Sequence, residues 1–325
     1  MNPRIGLAVI GLGVIGRRML EQTARRDDFA IAGAWDVDPA ACARARADYP
    51  HARVAADADD AIGDAATGVV YVGTPPAFHD HYARRAAARG RRVFCEKPLA
   101  ASVDEGERLV RDLDAAGTPN AVNFVYASAP AARALAAAIE SGAIGRPIAV
   151  ETRLFFSRWP RDWQATAAWL ALRAEGGFVR EVLSHFVYLM TDLFGDCAHR
   201  ASFTDYPPGG KLCERASVAL LECAGVPATV AASAGGAGPD EVTFTVRGER
   251  GALRLENWYG LQRSDGTAWV PVDVDPRPHA DARTAAYQAQ LDSLARFARG
   301  EPHRLPTMAV ALRVQRVVDR ILRED

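Results

Sequence analysis

The chain has 325 residues, and its 39 lysines and arginines nearly balance 40 acidic residues, giving a formal charge of −1. That balance excludes the broad positive field with which nucleic-acid-binding proteins neutralise phosphates. Hydrophobic residues make up 49% of the sequence without any run of about 18 apolar residues, so a globular protein with no membrane partner is expected. A chain this long exceeds what one core usually fills, which predicts two domains.

Cysteine usage and the N-terminal segment indicate a cytoplasmic protein. The cysteines are odd in number, scattered and without a C-x-x-C pair, so we expect neither a disulfide framework nor a thiolate metal site. We interpret each of them as a small buried hydrophobic residue. The five are Cys42, Cys95, Cys197, Cys213 and Cys223. The first residues lack the small-residue cleavage site of a secretory signal.

The first third of the chain alternates short apolar runs with amphipathic stretches. Strands are predicted at Ile5–Ile10, Phe29–Trp35, Arg53–Ala55, Val69–Gly73, Arg92–Cys95 and Ala121–Tyr126. Helices are predicted at Val14–Arg26, Asp57–Ile62, His79–Arg89 and Ser102–Ala116, the last with Ser102 and Glu105 as a capping box. Strands separated by helices of this length predict a doubly wound parallel sheet of the Rossmann type over residues 1–122.

The pattern changes over residues 123–325. Helices are predicted at Ala131–Ser141 and Gly177–Leu193, with a strand at Ile148–Phe156 between them. Residues 201–274 are typical of successive strands with Pro/Gly turns, and helices close the chain at Thr284–Arg299 and Met308–Leu322. We therefore predict a second α+β domain with a largely antiparallel sheet, for substrate binding and oligomerisation. The last helices are candidates for packing back onto the first domain.

A glycine motif follows the first strand and opens the first helix. It comprises Gly11, Gly13, Val14, Ile15 and Gly16 around Leu12, in the order G-x-G-x-x-G. The glycines permit a tight turn, close approach of a pyrophosphate and close helix–strand packing. Asp36 ends the second strand, where a carboxylate binds ribose hydroxyls and repels a 2′-phosphate. The motif thus predicts NAD as cofactor, with NADP less favoured.

Only two of the 39 basic residues are lysines, Lys97 and Lys211. A position that keeps lysine in so arginine-rich a chain is a candidate for chemistry that needs a compact ammonium group with an adjustable pKa. Lys97 follows a predicted strand of the first domain, and the carboxyl ends of such strands face the ligand crevice. An ammonium group there would stabilise negative charge on a substrate oxygen.

Two further segments are Thr74-Pro75-Pro76-Ala77-Phe78-His79 and Glu96-Lys97-Pro98. Together with the glycine motif they resemble the glucose–fructose oxidoreductase, inositol dehydrogenase and rhizopine-catabolism (Gfo/Idh/MocA) family. The segments 141–147 and 176–185 are similar to the family's interdomain segment and substrate-domain helix. The resemblance implies that Lys97 is catalytic, with a commonly cis Lys–Pro bond, and that Thr74, Pro75 and His79 lie near the cofactor. Glu96 would orient the loop or contact the cofactor ribose.

Glu181 and His185 are four residues apart on a predicted helix and so share a face. In the family, an Asp and a His at these positions complete a proton-transfer set with the lysine. This chain departs from the pattern with Glu181, so its carboxylate either acts on substrate, positions His185 or pairs with Arg180. His185 is suited to accept a hydroxyl proton near neutral pH.

Arginines and tryptophans cluster after the predicted interdomain segment. Arg153, Arg158, Trp159, Arg161 and Trp163 would bind a carboxylate, phosphate or sugar face, or would pack at a subunit interface. Among them we select Arg158 and Trp163, together with Arg180, as substrate-binding candidates. No metal site is expected, since the His79–His81 spacing does not suit a helical ligand pair. Family members are often homodimers or homotetramers.

The sequence therefore predicts an NAD(P)-dependent oxidoreductase that moves a hydride between nicotinamide and a hydroxyl or carbonyl carbon. By resemblance the small-molecule substrate is a sugar, an inositol or a related polyol. Three alternatives stay open: reduction of an imine or another non-sugar acceptor, an NAD-dependent redox glycosidase, and a non-catalytic NAD-sensing protein.

Overall fold

A computed structural model describes residues 3–274 and 282–323 of the chain. The chain divides into two compact units, of which the first is Met1–Phe124 with Leu291–Leu312 and the second is Val125–Gln290 with Arg313–Asp325. Each unit has its own sheet.

The first unit is built on five parallel strands in the order β2-β1-β3-β4-β5. The strands are β1 (Ile5–Ile10), β2 (Phe29–Trp35), β3 (Val69–Val72), β4 (Arg92–Cys95) and β5 (Asn120–Val122). Every residue of β1 and β3 is buried, which explains why both strands are continuous apolar runs rather than alternating ones. The Rossmann architecture predicted from the sequence is confirmed.

Five helices connect these strands. They are α1 (Val14–Ala24), α2 (Pro39–Asp48), α3 (Ala58–Gly63), α4 (His79–Ala88) and α5 (Val103–Ala115). The Ser102 side chain accepts a hydrogen bond from the Glu105 backbone N–H at 3.3 Å, which confirms the Ser102 half of the predicted capping box.

Two predicted strands differ in the structure. Residues 53–55 form only an isolated bridge, in which Val54 lies opposite Ala34 of β2. The strand predicted at Ala121–Tyr126 ends at Val122, and Val125–Ala127 forms a 3₁₀ turn. Residues 53–55 exchange backbone hydrogen bonds with β2 around Ala34, which make one bridge but not a longer ladder. The pairing of β5 with β4 ends where Val122 lies opposite Cys95, the last residue of β4.

The second unit contains an eight-stranded sheet in the order β13-β12-β11-β10-β6-β9-β8-β7. Its strands are β6 (Pro147–Phe156), β7 (Cys197–Asp205), β8 (Ala216–Cys223), β9 (Val226–Ala234), β10 (Glu241–Gly248), β11 (Ala252–Glu256), β12 (Gly260–Ser264) and β13 (Val270–Val272). The pairs are antiparallel except β6 with β9. The predicted largely antiparallel sheet is thereby confirmed. Burial alternates along β8, as expected of a sheet with one open face.

The remaining helices are α6 (Pro130–Glu140), α7 (Ser184–Phe194), α8 (Ala282–Arg299) and α9 (Met308–Leu322). The predicted helix Gly177–Leu193 is not a uniform α-helix, because Val179–Leu183 forms a π-helical turn before α7. A π-helical turn has one more residue in each hydrogen-bonded ring than an α-helix. Five residues are too few for the apolar periodicity to distinguish the two.

One cysteine prediction is wrong. Cys197 and Cys223 form a disulfide between β7 and β8, where their Cα atoms lie 4.2 Å apart. The strand register places the two residues opposite each other, and a separation of 26 residues gave no sign of that pairing. Cys42, Cys95 and Cys213 are free and buried, as predicted.

Candidate active site

The glycine loop leaves backbone surface open at the start of α1. A Cβ atom on Gly16 would lie 1.8 Å from the Gly11 carbonyl oxygen, and one on Gly11 would lie 2.7 Å from the Gly73 carbonyl. A Cβ atom on Gly13 would meet no atom of the described chain within 4 Å. Gly11 and Gly16 are thus required by packing, whereas Gly13 faces space that the described chain leaves open.

The N-terminus of α1 suits an anion. Val14 and Ile15 are its first residues and are half-buried. No side chain of the described residues caps the helix, and no acidic residue stands in its first turn. Its first backbone N–H groups and the positive end of the helix dipole are therefore available for a phosphate.

Asp36 is tied to the glycine loop. Its Oδ2 accepts a hydrogen bond from the Leu12 backbone N–H at 2.6 Å, and its Oδ1 accepts one from the Asp38 N–H at 2.8 Å. Asp38 in turn caps α2 by accepting from the Ala40 N–H. The half-buried Asp36 carboxylate is thereby fixed beside the loop, and each of its oxygens retains a lone pair for a further donor. The glycine loop, the uncapped helix and this carboxylate together fit a dinucleotide.

Glu96 and Lys97 follow β4 and are both nearly buried, at 8% and 9% exposure. One carboxylate oxygen of Glu96 accepts hydrogen bonds from the Tyr71 hydroxyl and the Asn123 side-chain amide, each at 2.5 Å. These partners stand on β3 and directly after β5. The contacts match the loop-orienting alternative for Glu96. The Lys97–Pro98 peptide bond is cis.

His79 joins the two family segments but has no exposed surface. Its Nδ1 lies 2.9 Å from the Pro98 carbonyl oxygen, and its Nε2 lies 2.8 Å from the Thr74 carbonyl oxygen. Burial lowers the pKa of the imidazole, and the hydrogen bonds to these backbone groups offset that shift only in part. The place of His79 near the cofactor stays a prediction, and the structure shows which backbone groups its ring contacts. It anchors the half-buried Thr74–Pro75 turn to the loop that carries Lys97.

In the second unit, His185 is nearly buried and Glu181 is half-buried. The Gln164 side-chain amide donates to a Glu181 carboxylate oxygen at 3.4 Å. The Arg180 guanidinium donates to two backbone carbonyls, those of Arg173 at 2.7 Å and Gly176 at 3.2 Å. Arg180 therefore stabilises the turn before the helix.

Aromatic rings surround His185. The ring centroids of Tyr126 and Trp258 each lie 6.2 Å from that of His185, both edge to face. Trp258 has φ +75° and its neighbour Asn257 has φ +49°. A bulky residue in the left-handed region is strained, and such strain concentrates at functional sites. The sequence gave no signal of this tryptophan, because it depends on backbone geometry in the β11–β12 turn.

Arg161 is the central member of the arginine–tryptophan cluster. Its guanidinium carbon lies between 4.7 and 5.6 Å from the ring centroids of Phe156, Trp159, Trp163 and Trp258. Its Nε donates to Gln164 Oε1 at 3.0 Å, and Gln164 also bonds Glu181. By contrast, Arg158 is exposed and pairs with Asp162. Our substrate-binding selection omitted Arg161, although four aromatic residues around one arginine is a recognisable cation–π signal.

The parallel sheet, the glycine turn and the carboxylate at the end of β2 define a dinucleotide-binding oxidoreductase architecture. Residues 5–124 match the family model described as "Oxidoreductase family, NAD-binding Rossmann fold", and residues 132–254 match the "GFO/IDH/MocA C-terminal domain". The chain belongs to the Gfo/Idh/MocA family of oxidoreductases.

Similar proteins include an inositol 2-dehydrogenase from Acidothermus cellulolyticus. It is 38% identical over 151 residues, which are 45% of this chain and 42% of that protein, so the match spans less than half of either. An oxidoreductase from Agrobacterium radiobacter, solved with NAD⁺, L-tartaric acid and magnesium, has TM-score 0.84 and 21% identity over 97% of this chain and 94% of that one. A putative NADPH-dependent oxidoreductase from Desulfitobacterium hafniense has TM-score 0.86 and 17% identity, over 99% and 95%. These two structures show the same fold.

Within residues 3–274 and 282–323, no three histidine, cysteine or acidic side chains are grouped so that they could hold a metal ion. The helices of the same residues include none that is long and apolar enough to cross a membrane.

Proposed function

We propose that this protein is an NAD-dependent dehydrogenase acting on a hydroxyl-bearing carbon of a sugar, an inositol or a related polyol. The observation that carries the proposal is Lys97, a nearly buried ammonium group at the carboxyl end of β4, in a loop fixed by Glu96 and His79. A buried loop of this kind holds a charged group in one place, which is what stabilisation of a developing charge requires. Family membership and the similarity to inositol 2-dehydrogenases support the substrate class.

The cofactor pyrophosphate would be held by Gly11, Gly13, Val14, Ile15 and Gly16. The cofactor ribose would be bound by Asp36. When bound, the nicotinamide accepts the hydride that leaves the substrate carbon. In the oxidation direction His185 accepts the hydroxyl proton, and Lys97 stabilises negative charge on the same oxygen. Glu181 orients His185 or tunes its pKa. Trp163 and Arg161 are the substrate-binding candidates that the aromatic cluster favours, ahead of Arg158 and Arg180.

The preference for NAD over NADP rests on Asp36 and is tested by parallel titrations with NADH and NADPH. We expect NADH to bind at least about tenfold more tightly, because a fixed carboxylate repels a 2′-phosphate. Asp36→Asn keeps the shape but removes the charge, so the ratio should fall below about threefold. Nucleotide fluorescence excited through Trp35 reports the binding.

Asp38→Asn is the matched control for this titration. It neutralises the neighbouring carboxylate and leaves an N-cap that asparagine also provides, so the cofactor ratio should stay as in the wild type. A wild-type protein that binds NADPH more tightly would contradict the assignment of Asp36.

We also propose that the protein is a homo-oligomer formed through the open face of the second sheet. We define this open face by Phe203, Val218, Leu220 and Ala231. The first three are 70%, 56% and 43% exposed, and Phe203, Val218 and Ala231 are register partners across β7, β8 and β9. Charges of both signs continue the face on β6 and β10, including the Glu151–Arg247 ion pair. An apolar patch flanked by both signs is complementary to a second copy of itself.

Phe203→Asp combined with Val218→Asp should convert this oligomer into a monomer of 34.9 kDa, because two carboxylates would enter an apolar contact. Light scattering after size exclusion measures the mass. Val270→Asp is the control, since Val270 is 51% exposed on β13 at the far edge of the same sheet. A wild-type mass of 34.9 kDa would end the proposal. The cytoplasm stays a prediction, and the Cys197–Cys223 disulfide removes the cysteine argument for it.

A further inference from the structure

Glu214 is a buried carboxylate to which the mechanism above assigns no part. It is 2% exposed and lies two residues before β8, which begins at Ala216. The residues before it pair with the chain that precedes the π-helical turn: the Cys213 N–H donates to the Ala171 carbonyl at 2.9 Å, and the Arg173 N–H donates to the Lys211 carbonyl at 3.0 Å. This pairing places the Glu214 carboxylate next to the start of the π-helical turn that contains Glu181 and leads into α7 with His185.

The Glu214 carboxylate takes the place of a helix cap. Its Oε1 accepts a hydrogen bond from the Val179 backbone N–H at 2.7 Å. No side chain of the described residues next to the π-helical turn provides a cap. The first N–H groups of a helix need an acceptor, and a carboxylate is the strongest one. Here the acceptor comes from a residue 35 positions later in the chain.

The same carboxylate explains Gly177. A Cβ atom on Gly177 would lie 2.2 Å from Glu214 Oε2 and 2.5 Å from its Oε1, and Gly177 has φ +97°. The carboxylate therefore packs directly against the Gly177 backbone, in space that any side chain at this position would occupy. The Gly177 carbonyl accepts a hydrogen bond from the Glu181 backbone N–H at 3.0 Å, so one hydrogen bond joins Gly177 to the proposed catalytic residue Glu181.

Holding Glu214 in this place has a cost. Burial raises the pKa of its carboxyl group, and the Val179 N–H and the attraction of Arg180 offset that rise only in part. Within the described chain its Oε2 has no hydrogen-bond partner. A buried acid with an unsatisfied oxygen is expensive, and groups of this kind persist where they serve a function.

We propose that Glu214 is a positioning residue that fixes where the π-helical turn begins, and thereby the direction of the Glu181 and His185 side chains. A π-helical turn shifts all following side chains around the helix axis by one residue. The hydrogen bond from the Val179 N–H to Glu214 and the close contact of the Glu214 carboxylate with Gly177 keep the π-helical turn at Val179–Leu183. The activity part of this inference rests on the proposed function.

The test compares Glu214→Ala with Glu214→Gln. Glutamine keeps the length and an acceptor for the Val179 N–H, so its kcat should stay within about threefold of the wild type, whereas alanine should lower kcat by about 10- to 100-fold. NADH affinity should be unchanged in both, because the glycine loop belongs to the other unit. Glu249→Ala, which breaks an exposed ion pair with Arg146, is the control. If the alanine variant does not fold, Glu214→Asp replaces it, since the shorter chain withdraws the carboxylate.

Amide hydrogen exchange provides a readout without turnover. In Glu214→Ala the amides of residues 179–183 should exchange about tenfold faster, and in Glu214→Gln they should not. Gly177→Ala should lower kcat less in the Glu214→Ala background than alone, because its steric partner is gone. Unchanged exchange in Glu214→Ala, or a glutamine variant as slow in turnover as the alanine one, would overturn the proposal. A wild type that turns over no polyol would instead count against the proposed function, and the exchange result would still decide the role of Glu214.

Discussion

Lys97→Ala should lower kcat by at least about 100-fold while leaving NADH affinity nearly unchanged. In the proposed mechanism the ammonium group stabilises charge on the substrate oxygen during the reaction, and the glycine loop and Asp36 hold the nucleotide. A loss confined to kcat identifies an interaction made in the transition state. Steady-state kinetics with inositols and other polyols, together with a separate NADH titration, would measure the two quantities.

Lys211→Ala is a natural control, because Lys211 is the other lysine of the chain and is exposed in a Gly-Gly-Lys turn. Its kinetics should match those of the wild type. Lys97→Arg separates charge from geometry: a guanidinium group keeps the positive charge but is larger and does not lose its proton, so we expect a kcat between those of wild type and Lys97→Ala. Full turnover in Lys97→Ala would remove Lys97 from the mechanism. A protein that binds NADH, and whose biological effect survives that substitution, would be a sensor instead.

Gly13→Ala should strongly weaken cofactor binding without destabilising the fold. The added methyl group meets no atom of the described chain within 4 Å, and Gly13 has φ −63°, which alanine adopts readily. The methyl group would instead occupy the space into which the pyrophosphate approaches the backbone. We expect the Kd for NADH to rise at least about 100-fold, which corresponds to about 2.7 kcal/mol, with the melting temperature within about 2 °C of the wild type.

Gly16→Ala separates the two roles of the glycine motif. Its methyl group would lie 1.8 Å from the Gly11 carbonyl oxygen, so β1 and α1 would have to move apart. We expect this variant to lose both NADH binding and several degrees of melting temperature. If Gly13→Ala bound NADH as well as the wild type does, the loop would not be the pyrophosphate site.

The first unit was the more predictable one, and the reason is local. A strand, a glycine turn and a helix lie within twenty residues of one another, and each leaves its own trace in the sequence. The alternation of strands and helices could also be predicted from the sequence, although the strand predicted at Ala121–Tyr126 ends at Val122.

The second unit shows where sequence reasoning reaches its limit. Phe156, Trp159 and Trp163 are close to Arg161 in sequence, but the fourth ring, Trp258, reaches Arg161 only through the β11–β12 turn. Glu214 and Val179 are 35 positions apart, and Cys197 and Cys223 are 26 apart. These contacts depend on strand register and on backbone dihedral angles, which single-sequence periodicity does not encode. The roles of Lys97, His185 and Glu181 stay predictions.

The hydrogen bonds of Glu96 have a consequence for how the protein assembles. Its carboxylate links Tyr71 on β3 to Asn123 beyond β5, and Glu96 itself follows β4. Three strand ends must therefore be in register before the adjacent lysine is held in place. If Lys97 has the proposed catalytic role, turnover should not return during refolding before β4 has paired with both β3 and β5.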